Sequence, residues 1–373
     1  MKTKKTIVWI TVFPHPIYGT MIGAIAKRFP DLSLRAIVAK RFESIPWGQA
    51  NVQWISLDSW HFGKIAGMVY MRGLEKKLAE MHPSMIICNL YASLFCLQAY
   101  RFAKKKNIPL IVTTEEKDSE DFMKKIWFPL WNLLCGKSIL EYSSCILAWS
   151  KDSKRFMQCA TQEKGKVICF PAGVDTSLLV RDKGKIYSPG GIMRLLVVAS
   201  MVPCKDHFTL LRAIQHLRGE GFGNFKLDLV GDGPLRGKVE TMIQEQALQG
   251  EVRIVAPVPH IQMNALYQSY DVLILPSKKE AVGMVVLEAM ACGLPVIVSD
   301  GAGAREYVQE SVNGFIFPAG NYKELAGKII AISKMNLDRM GTNARKHMVE
   351  NFDIHDLARK LDGTLSVWEN HKI

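Results

Sequence analysis

The chain has 373 residues, enough for two domains with separate cores, and its composition of 48% hydrophobic and 22% charged residues excludes an intrinsically disordered chain. The net charge of +13 lies entirely in residues 1–190, which contain 28 Lys and Arg against 15 Asp and Glu, whereas residues 191–373 contain 20 of each. This asymmetry favours an anionic partner for the first half, such as phospholipid headgroups, nucleic acid or a phosphorylated substrate, although a generally basic surface would give the same count.

In the first half, short runs rich in Val, Ile and Leu alternate with longer amphipathic stretches. The short runs predict buried strands, and they are TIVWIT, LSLRAIV, VQWISL, SMIIC, PLIVT, CILAW and KVICF. The stretches between them predict helices over residues 64–81, 94–106, 121–140 and 151–159. Continuous apolar strands interleaved with helices are typical of a parallel sheet that is covered on both faces.

Two apolar segments resemble membrane signals, but the α/β pattern explains both. The start MKTKKTIVWITVF has a short apolar run with no small-residue cleavage site, so we interpret residues 6–12 as the first buried strand. Residues 81–100 contain no Lys, Arg, Asp or Glu over a length that could span a bilayer. They do contain Pro83, Asn89 and Gln98, and they divide into a strand and a helix. We therefore predict no transmembrane span.

The same alternation restarts after a polar, turn-rich linker that begins at residue 181. The predicted strands are RLLVVAS, KLDLVG, VRIVA, VLILPS and PVIVS, the predicted helices cover 206–218, 235–248, 264–269 and 284–291, and the tail 321–372 has a helical pattern. The sequence thus predicts an α/β fold with two Rossmann-like, doubly wound parallel-sheet domains facing a cleft. We place these domains at residues 1–185 and 186–352, with a C-terminal helix over 353–373 packing back on the first.

Two short motifs follow strands of the second domain, where ligands of such sheets bind. Lys205 lies at a strand end just before a helix, where an ammonium and free backbone amides together form an anion site. The motif GDGPLR contains Gly231, Gly233 and Pro234, which suit a tight turn into a helix. Many α/β proteins make such a turn for packing alone, and a lone lysine in a loop is often simply solvated.

Two carboxylates in the apolar stretch 278–308 are the strongest functional signal. Glu280 follows a buried strand, and Glu288 lies in the middle of the next predicted helix, with Gly283 near that helix's start. A buried carboxylate is costly unless it is paired or hydrogen-bonded. We therefore interpret the pair as binding a polar ligand such as a sugar, with further backbone amides supplied by the glycines of SDGAGAREYV.

Five motifs in order resemble the donor-nucleotide domain of retaining family-4 glycosyltransferases, which have the GT-B fold. They are MVPCKDHFTLL, LVGDGPLR, LYQSYDVLILPS, EAVGMVVLEAMACGLPVIVSDGAGAREYV and NGFIFPAGN, and they lie within residues 194–320, about a third of the chain. The segment FPAGVD also resembles the family's domain junction.

The resemblance implies a role for each matching residue. It implies that Glu280 holds the donor sugar's hydroxyls, that Glu288 binds the ribose and that Lys205 neutralises the diphosphate, so that Glu280 and Lys205 serve catalysis. The full donor set that it implies is Gly19, Ser200, Lys205, Gly231, Gly233, Pro234, Glu280, Val282, Gly283, Met284, Val285 and Glu288. No metal ligand and no cofactor is expected, and the donor would be a nucleotide sugar such as a UDP- or GDP-sugar.

Four departures from the family pattern lie mostly in the first half. Ser200 lies in the triplet where the family commonly has an arginine, and Gly19 alone remains of a Gly-Gly loop. Ala172 replaces the usual junction asparagine. The familiar histidine after PLIVT is absent, and the positions there are Glu115 and Glu116; with His15 they are our acceptor-side candidates.

The resemblance implies transfer of a sugar from a nucleoside-diphosphate sugar to an acceptor hydroxyl with retention, in cell-surface polysaccharide or glycolipid assembly. Two alternatives remain: a nucleotide-binding GT-B subunit without catalysis, and another GT-B enzyme such as a sugar-nucleotide epimerase. The expected acceptor is a saccharide or lipid-linked saccharide, and no nucleic-acid partner is expected because no recognition module is present.

The location that we predict is cytoplasmic, at or near the inner face of the cytoplasmic membrane. The eight cysteines form no C-x-x-C pair and several lie in apolar runs, as is typical of a reducing compartment. Residues 121–140 combine lysines with tryptophans and leucines, a pattern shared by interfacial helices and by ordinary amphipathic helices. With the basic first half, this segment favours peripheral contact with an anionic membrane.

Overall fold

The computed structural model describes residues 5–12, 22–23, 25, 32–39, 52–61, 69–114, 129–182, 184–188 and 191–360. The chain divides into two compact units. Unit 1 comprises residues 1–173 and 354–373, and unit 2 comprises residues 174–353. Each unit contains its own parallel sheet.

Unit 1 is organised around a seven-stranded parallel sheet. The strands of unit 1 are β1 (Lys5–Thr11), β2 (Leu32–Ala39), β3 (Gln53–Leu57), β4 (Ser59–His61), β5 (Val69–Met71), β6 (Met85–Asn89), β7 (Leu110–Thr114), β8 (Cys145–Ala148) and β9 (Val167–Cys169). The order in the large sheet is β3-β2-β1-β6-β7-β8-β9. The chain therefore starts in the middle, winds outwards through β2 and β3, and returns to the other side of β1 at β6. The order reverses between β1 and β6, which is the switch point of this sheet.

The prediction of one helix over residues 64–81 is wrong for residues 69–71. There β5 pairs antiparallel with β4, and the helix that follows β5 begins only at Leu74. Val69 and Met71 are buried while Tyr70 between them is exposed. Alternation of buried and exposed side chains with a period of two residues is typical of a strand. Residues 62–68 lie outside the part of the chain that the structure describes.

The helices of unit 1 cover its sheet with apolar faces. Within the described part of unit 1 they include α1 (Leu74–Met81), α2 (Leu94–Lys106), α3 (Lys137–Tyr142) and α4 (Lys151–Ala160), and residues 354–360 are also helical. Ser93 and Ser150 cap α2 and α4 by accepting hydrogen bonds from the backbone amides of Cys96 and Ser153. A π-helical turn, Asn132–Gly136, leads directly into α3. The predicted helix over 121–140 is thus helical from residue 129, and residues 121–128 lie outside the described part.

The apolar segment 81–100 forms the end of α1, the strand β6 and the start of α2. The predicted division into a strand and a helix is confirmed. Within the residues that the structure describes, no helix is both long enough and apolar enough to cross a membrane.

Unit 2 repeats the doubly wound arrangement with six parallel strands. The strands are β10 (Met193–Val198), β11 (Phe225–Val230), β12 (Val252–Val255), β13 (Val272–Leu275), β14 (Val296–Ser299) and β15 (Gly314–Phe317). The helices are α5 (His207–Gly219), α6 (Arg236–Glu245), α7 (Met263–Gln268), α8 (Met284–Ala291), α9 (Tyr322–Ser333) and α10 (Leu337–Asn351). The order β12-β11-β10-β13-β14-β15 reverses between β10 and β13. Loops leaving the carboxyl ends of these two strands therefore flank the switch point of unit 2.

Candidate functional site at the switch point of unit 2

The loops after β10 and β13 bring Lys205 and Glu280 into direct contact. The ammonium Nζ of Lys205 donates to Oε1 of Glu280 at 2.5 Å, across 75 positions of sequence. The two side chains keep 20% and 16% of their surface exposed. The pair is therefore accessible at the sheet edge where ligands of doubly wound sheets bind.

The second oxygen of Glu280 and its backbone are also held. The Ser277 hydroxyl donates to Oε2 of Glu280 at 2.8 Å, and the amide of Gly303 donates to the Glu280 carbonyl at 3.0 Å. A Cβ atom at Gly303 would lie 1.9 Å from the carbonyl oxygen of Ala281, so only glycine permits this approach. The segment after β14 thus fixes the loop that carries the carboxylate.

A second lysine, Lys278, connects the Glu280 loop to the Lys205 loop through a hydrogen bond and an ion pair. The Lys278 amide donates to the Cys204 carbonyl at 2.8 Å, and its Nζ lies 3.2 Å from Oδ1 of Asp206. Asp206 is buried and caps α5, since its side chain accepts from the amide of Thr209. The start of α5 and both loops of the switch point therefore form one hydrogen-bonded assembly.

The neighbouring histidine adds no positive charge to this assembly near neutral pH. His207 is buried at the first position of α5, and burial lowers its pKa to about 4, against a smaller opposing effect of Asp206. The imidazole is therefore neutral at pH 7. The Lys205 ammonium does supply positive charge next to Glu280.

The GDGPLR turn lies against the backbone that follows β10. A Cβ atom at Gly231 would lie 2.1 Å from the carbonyl oxygen of Ala199, and one at Gly233 would lie 2.7 Å from that of Met201. The φ angles of the two glycines are +151° and +156°. The amide of Met201 donates to the Asp232 carbonyl at 2.8 Å, so Ser200 lies in a segment held by this turn. Pro234 precedes α6, which begins at Arg236.

Gly283 ends the Glu280 loop and starts α8 in a left-handed conformation, with φ +89°. The amide of Val286 donates to the Gly283 carbonyl at 3.0 Å, which closes the first turn. The amides of Gly283, Met284 and Val285 precede that bond and have no acceptor within the helix. With buried Val282 before them, they give α8 an N-terminus able to donate to an anion or a hydroxyl.

Glu288, one turn further along α8, has a separate set of partners. It is buried, and the Tyr267 hydroxyl donates to its Oε2 at 2.8 Å. The Nε2 atom of His260 lies 3.5 Å from its Oε1. The hydrogen bond to Glu288, together with its charge, raises the pKa of His260 despite partial burial. Burial and the same charge raise the pKa of Tyr267, so it stays a neutral donor.

The structure groups the predicted donor residues of unit 2 as follows. Lys205 and Glu280 form one ion pair, Gly231 and Gly233 lie against residues 199–201, and Glu288 is held by α7 and the turn before it. Gly19, His15, Glu115 and Glu116 lie outside the part of the chain that the structure describes.

The contacts of Ser277, His260 and Tyr267 were not predicted. Ser277 lies three residues before Glu280, and a hydroxyl so close to a loop carboxylate could have suggested the hydrogen bond between them. Of the two partners of Glu288, Tyr267 lies in the motif LYQSYDVLILPS, which did not indicate its contact with Glu288, and His260 lies outside the five motifs. In the described ranges, no group of three or more His, Cys, Asp or Glu residues could hold a metal ion.

Residues 182–351, just under half of the chain, match the model of the family described as "Glycosyl transferases group 1". Over 176 residues the chain is 32% identical to the putative glycosyltransferase EpsF of Bacillus subtilis, an alignment that covers 45% of each protein. It is 24% identical over 209 residues to the putative colanic acid biosynthesis glycosyltransferase WcaL of Salmonella typhimurium, covering 54% of this chain and 51% of WcaL. The chain thus spans about half the length of these two relatives.

The fold is shared with solved structures over nearly the whole chain. Anabaena HepE, solved in complex with UDP and glucose, superposes with a TM-score of 0.79 and 18% identity, covering 97% of this chain and 100% of HepE. Together with the two parallel α/β units, this likeness identifies the GT-B fold, and the predicted fold class is confirmed.

Proposed function

We propose that the protein is a glycosyltransferase that transfers a sugar from a nucleoside-diphosphate sugar to an acceptor hydroxyl. The observation that carries the proposal is the contact between Lys205 and Glu280 at the switch point of unit 2. It lies within the segment that matches the glycosyltransferase model. A cation for a diphosphate and a carboxylate for sugar hydroxyls are the two groups that such a donor requires there.

Each polar group at this site has a defined task in the proposed reaction. Lys205 neutralises the charge that develops on the departing diphosphate, and Glu280 accepts hydrogen bonds from the sugar hydroxyls. The first backbone amides of α8, which follow the Glu280 loop, donate hydrogen bonds to the nucleotide sugar. Charge-assisted hydrogen bonds of this kind contribute about 1.5–3 kcal/mol each. The donor must compete with the existing ion pair, so that Lys205 turns towards phosphate while Ser277 continues to hold Glu280.

Glu288 is assigned to the ribose of the nucleotide. Its Oε2 is oriented by Tyr267, and its Oε1 is shared with the partly exposed His260. A ribose diol can donate to this carboxylate as one hydroxyl displaces the imidazole. In this proposal the nucleotide is a UDP- or GDP-type diphosphate, and no metal is required because Lys205 supplies the positive charge.

Retention of configuration is part of the proposal. The leaving diphosphate stays on the face from which it departs and accepts the proton of the incoming hydroxyl, so the enzyme supplies no covalent nucleophile. Positioning and stabilisation of the leaving group then account for the rate acceleration.

The proposed acceptor is a growing saccharide or a lipid-linked saccharide at the cytoplasmic face of a membrane. WcaL is named for colanic acid biosynthesis, and AmsK of Erwinia amylovora, named for amylovoran biosynthesis, is 28% identical over 177 residues. These names support a role in the assembly of a cell-surface polysaccharide.

The proposal is tested with a panel of radiolabelled UDP-, GDP- and ADP-sugars incubated with the protein and a bacterial membrane extract. Label should enter a saccharide or lipid product from one donor, and Glu280→Gln should reduce the rate at least about 100-fold. The matched control is Glu310→Gln, because Glu310 also pairs with a lysine, Lys328, at 2.7 Å in unit 2. The control should keep full activity.

One result would contradict the assigned site, and two would contradict the function. Unchanged turnover in Glu280→Gln would exclude the assigned site. Thermal stabilisation by a nucleoside diphosphate without transfer to any extract would indicate a binding subunit without catalysis, for which the serine in place of the family's arginine is the motivating feature. Conversion of the donor to an isomer alone would indicate an epimerase.

A further inference from the structure

Three leucines of unit 1 point into solvent from one helical segment. Leu130, Leu133 and Leu134, here called the leucine patch, keep 44%, 82% and 71% of their surface exposed. They lie at positions i, i+3 and i+4 of the continuous helical run that includes the π-helical turn and α3. Residues at this spacing lie side by side on one face of a helix.

The same segment is packed against unit 1 by its other face. Trp131 is 2% exposed, and Ile139 and Leu140 are fully buried in the core of the unit. Tyr142 contacts Tyr100 of α2 edge to face, with ring centroids 5.6 Å apart. The segment is therefore attached to unit 1 through the face opposite the leucines.

The charge around the leucine patch is positive. Unit 1 contains 28 Lys and Arg against 16 Asp and Glu, a net charge of +12, whereas unit 2 contains 20 against 19, a net charge of +1. Lys137 follows the leucines by one turn on the same exposed face, and Arg101 of α2 acts electrostatically on Cys135, the residue after Leu134. Glu141 lies a further turn along, at 3.8 Å from Lys137.

We propose that the leucine patch docks unit 1 onto an anionic phospholipid surface. Leucines flanked by basic residues on the exposed face of a fixed helix insert shallowly between headgroups, while the cations pair with lipid phosphates. An exposed apolar cluster of this kind on a globular unit is typical of an interaction site.

A second copy of the chain is a poorer occupant of this surface. Two copies meeting through their leucine patches would bring two units of charge +12 together, whereas an anionic membrane attracts that charge. Three leucine side chains also cover much less than the roughly 800 Å² per partner that a stable protein interface buries.

The test is sedimentation with vesicles, without any sugar donor. The wild type should sediment with vesicles of phosphatidylglycerol and phosphatidylethanolamine, and much less with phosphatidylcholine vesicles or at high salt. The double variant Leu133→Gln with Leu134→Gln should lower the partition coefficient about tenfold or more. Glutamine is chosen because it favours helix as leucine does, which protects the fold.

Two further variants distinguish the effect of the leucine patch on vesicle binding from the effects of general surface hydrophobicity and of positive charge. The matched control, Leu178→Gln with Ile186→Gln, removes two hydrophobic side chains of unit 2 that are 71% and 72% exposed, and it should partition like the wild type. Lys137→Gln should weaken binding to anionic vesicles about fivefold, because one basic residue near such a surface contributes about a factor of five.

Several outcomes would overturn the proposal. They are a wild type that stays in the supernatant with anionic vesicles, a leucine variant that partitions like the wild type, and equal losses in the leucine and control variants. Sedimentation velocity completes the test: a wild-type dimer that the leucine variant converts to monomer, without vesicle binding, would assign the patch to a second copy. None of these results depends on whether the protein transfers a sugar.

Discussion

The two units wind their strands by one scheme but place different chemistry at the two switch points. Between β10 and β13 of unit 2, charged Lys205 and Glu280 meet with part of their surface exposed. At the ends of β1 and β6 in unit 1, the buried amide of Asn89 accepts from Trp9 Nε1 at 2.9 Å and donates to the Thr11 hydroxyl at 3.2 Å. The Thr113 hydroxyl donates to the same amide oxygen at 2.9 Å.

This comparison teaches that topology alone does not create a binding site. A neutral, internally satisfied network joins strands, whereas an accessible ion pair can exchange its partners for a ligand. We therefore expect changes in the two regions to separate stability from donor binding, and the following variants test that separation.

The largest effect is expected from Gly303→Ala in unit 2. The new Cβ would lie 1.9 Å from the Ala281 carbonyl oxygen, so the segment after β14 must move away from the Glu280 loop. We expect a loss of about 3 kcal/mol in the stability of unit 2, together with loss of donor binding, measured by calorimetric unfolding and nucleotide titration.

Gly327→Ala is the matched control for this substitution. Gly327 lies inside α9, and beyond its chain neighbours and the adjacent helix backbone no atom lies within 4 Å of an added Cβ. Alanine there should stabilise unit 2 by about 0.5–1 kcal/mol. Equal stability of Gly303→Ala and the wild type would refute the role of this close approach.

Asn89→Leu in unit 1 should reduce stability without touching the donor site. It removes the buried amide oxygen to which the Trp9 indole N–H and the Thr113 hydroxyl donate, which costs about 1–3 kcal/mol. Calorimetry should show the loss, while the affinity for nucleoside diphosphate stays that of the wild type. A parallel loss of nucleotide affinity would show that the two switch points are not independent.

Tyr267→Phe should weaken nucleotide binding and also lower stability by about 1 kcal/mol, because the buried Glu288 carboxylate loses a donor. It removes the hydroxyl that donates to Glu288 and leaves the aromatic ring in place. We expect nucleotide affinity to fall about fivefold, the equivalent of one modest hydrogen bond. Tyr322→Phe on α9 is a suitable control for loss of a tyrosine hydroxyl, and an unchanged affinity in Tyr267→Phe would exclude orientation of Glu288 by Tyr267.

The smallest expected effect is the pH dependence caused by His260. Glu288 raises the pKa of His260, so the imidazole is charged below that pKa. The stabilising contact between imidazolium and carboxylate is lost as pH rises through the pKa of His260. Since the side chain is 64% exposed, the effect is modest. Because imidazolium competes with ribose for Glu288, nucleotide affinity should increase about two- to threefold as pH rises from below His260's pKa to above it.

Replacing the imidazole identifies the group responsible for this pH dependence. His260→Gln should flatten the profile of nucleotide affinity, and His216→Gln, a histidine of α5, should leave it unchanged. A profile that falls with rising pH, or one that survives in His260→Gln, would contradict the competition.

Much of the fold could be predicted because apolar runs identify strands without knowledge of their partners. The helix α8 begins and ends where the sequence predicts, since Gly283 starts it and the Cys-Gly pair ends it. The error at residues 69–71 arose because three residues with period two are too short to distinguish from part of a helix. Pairing with β4 decides the outcome, and pairing is a tertiary contact.

The candidate site could be predicted only as far as its motifs reach. Motifs located Lys205, Glu280 and Glu288, but the sequence could not reveal that the first two form an ion pair. Nor could it reveal that Tyr267 and His260 occupy both oxygens of Glu288. Such contacts depend on distances between loops, and a single sequence contains no information about them.

The hydrogen bond from the Lys278 amide to the Cys204 carbonyl has a consequence for the thermodynamics of ligand binding. Because it joins the two loops through their backbones, their conformational entropy is lost when the protein folds and not when a ligand arrives. Opening the Lys205–Glu280 pair then becomes the main local cost of binding. The affinity for nucleotide, measured by titration, should accordingly depend more on the strength of this pair than on ordering of the loops.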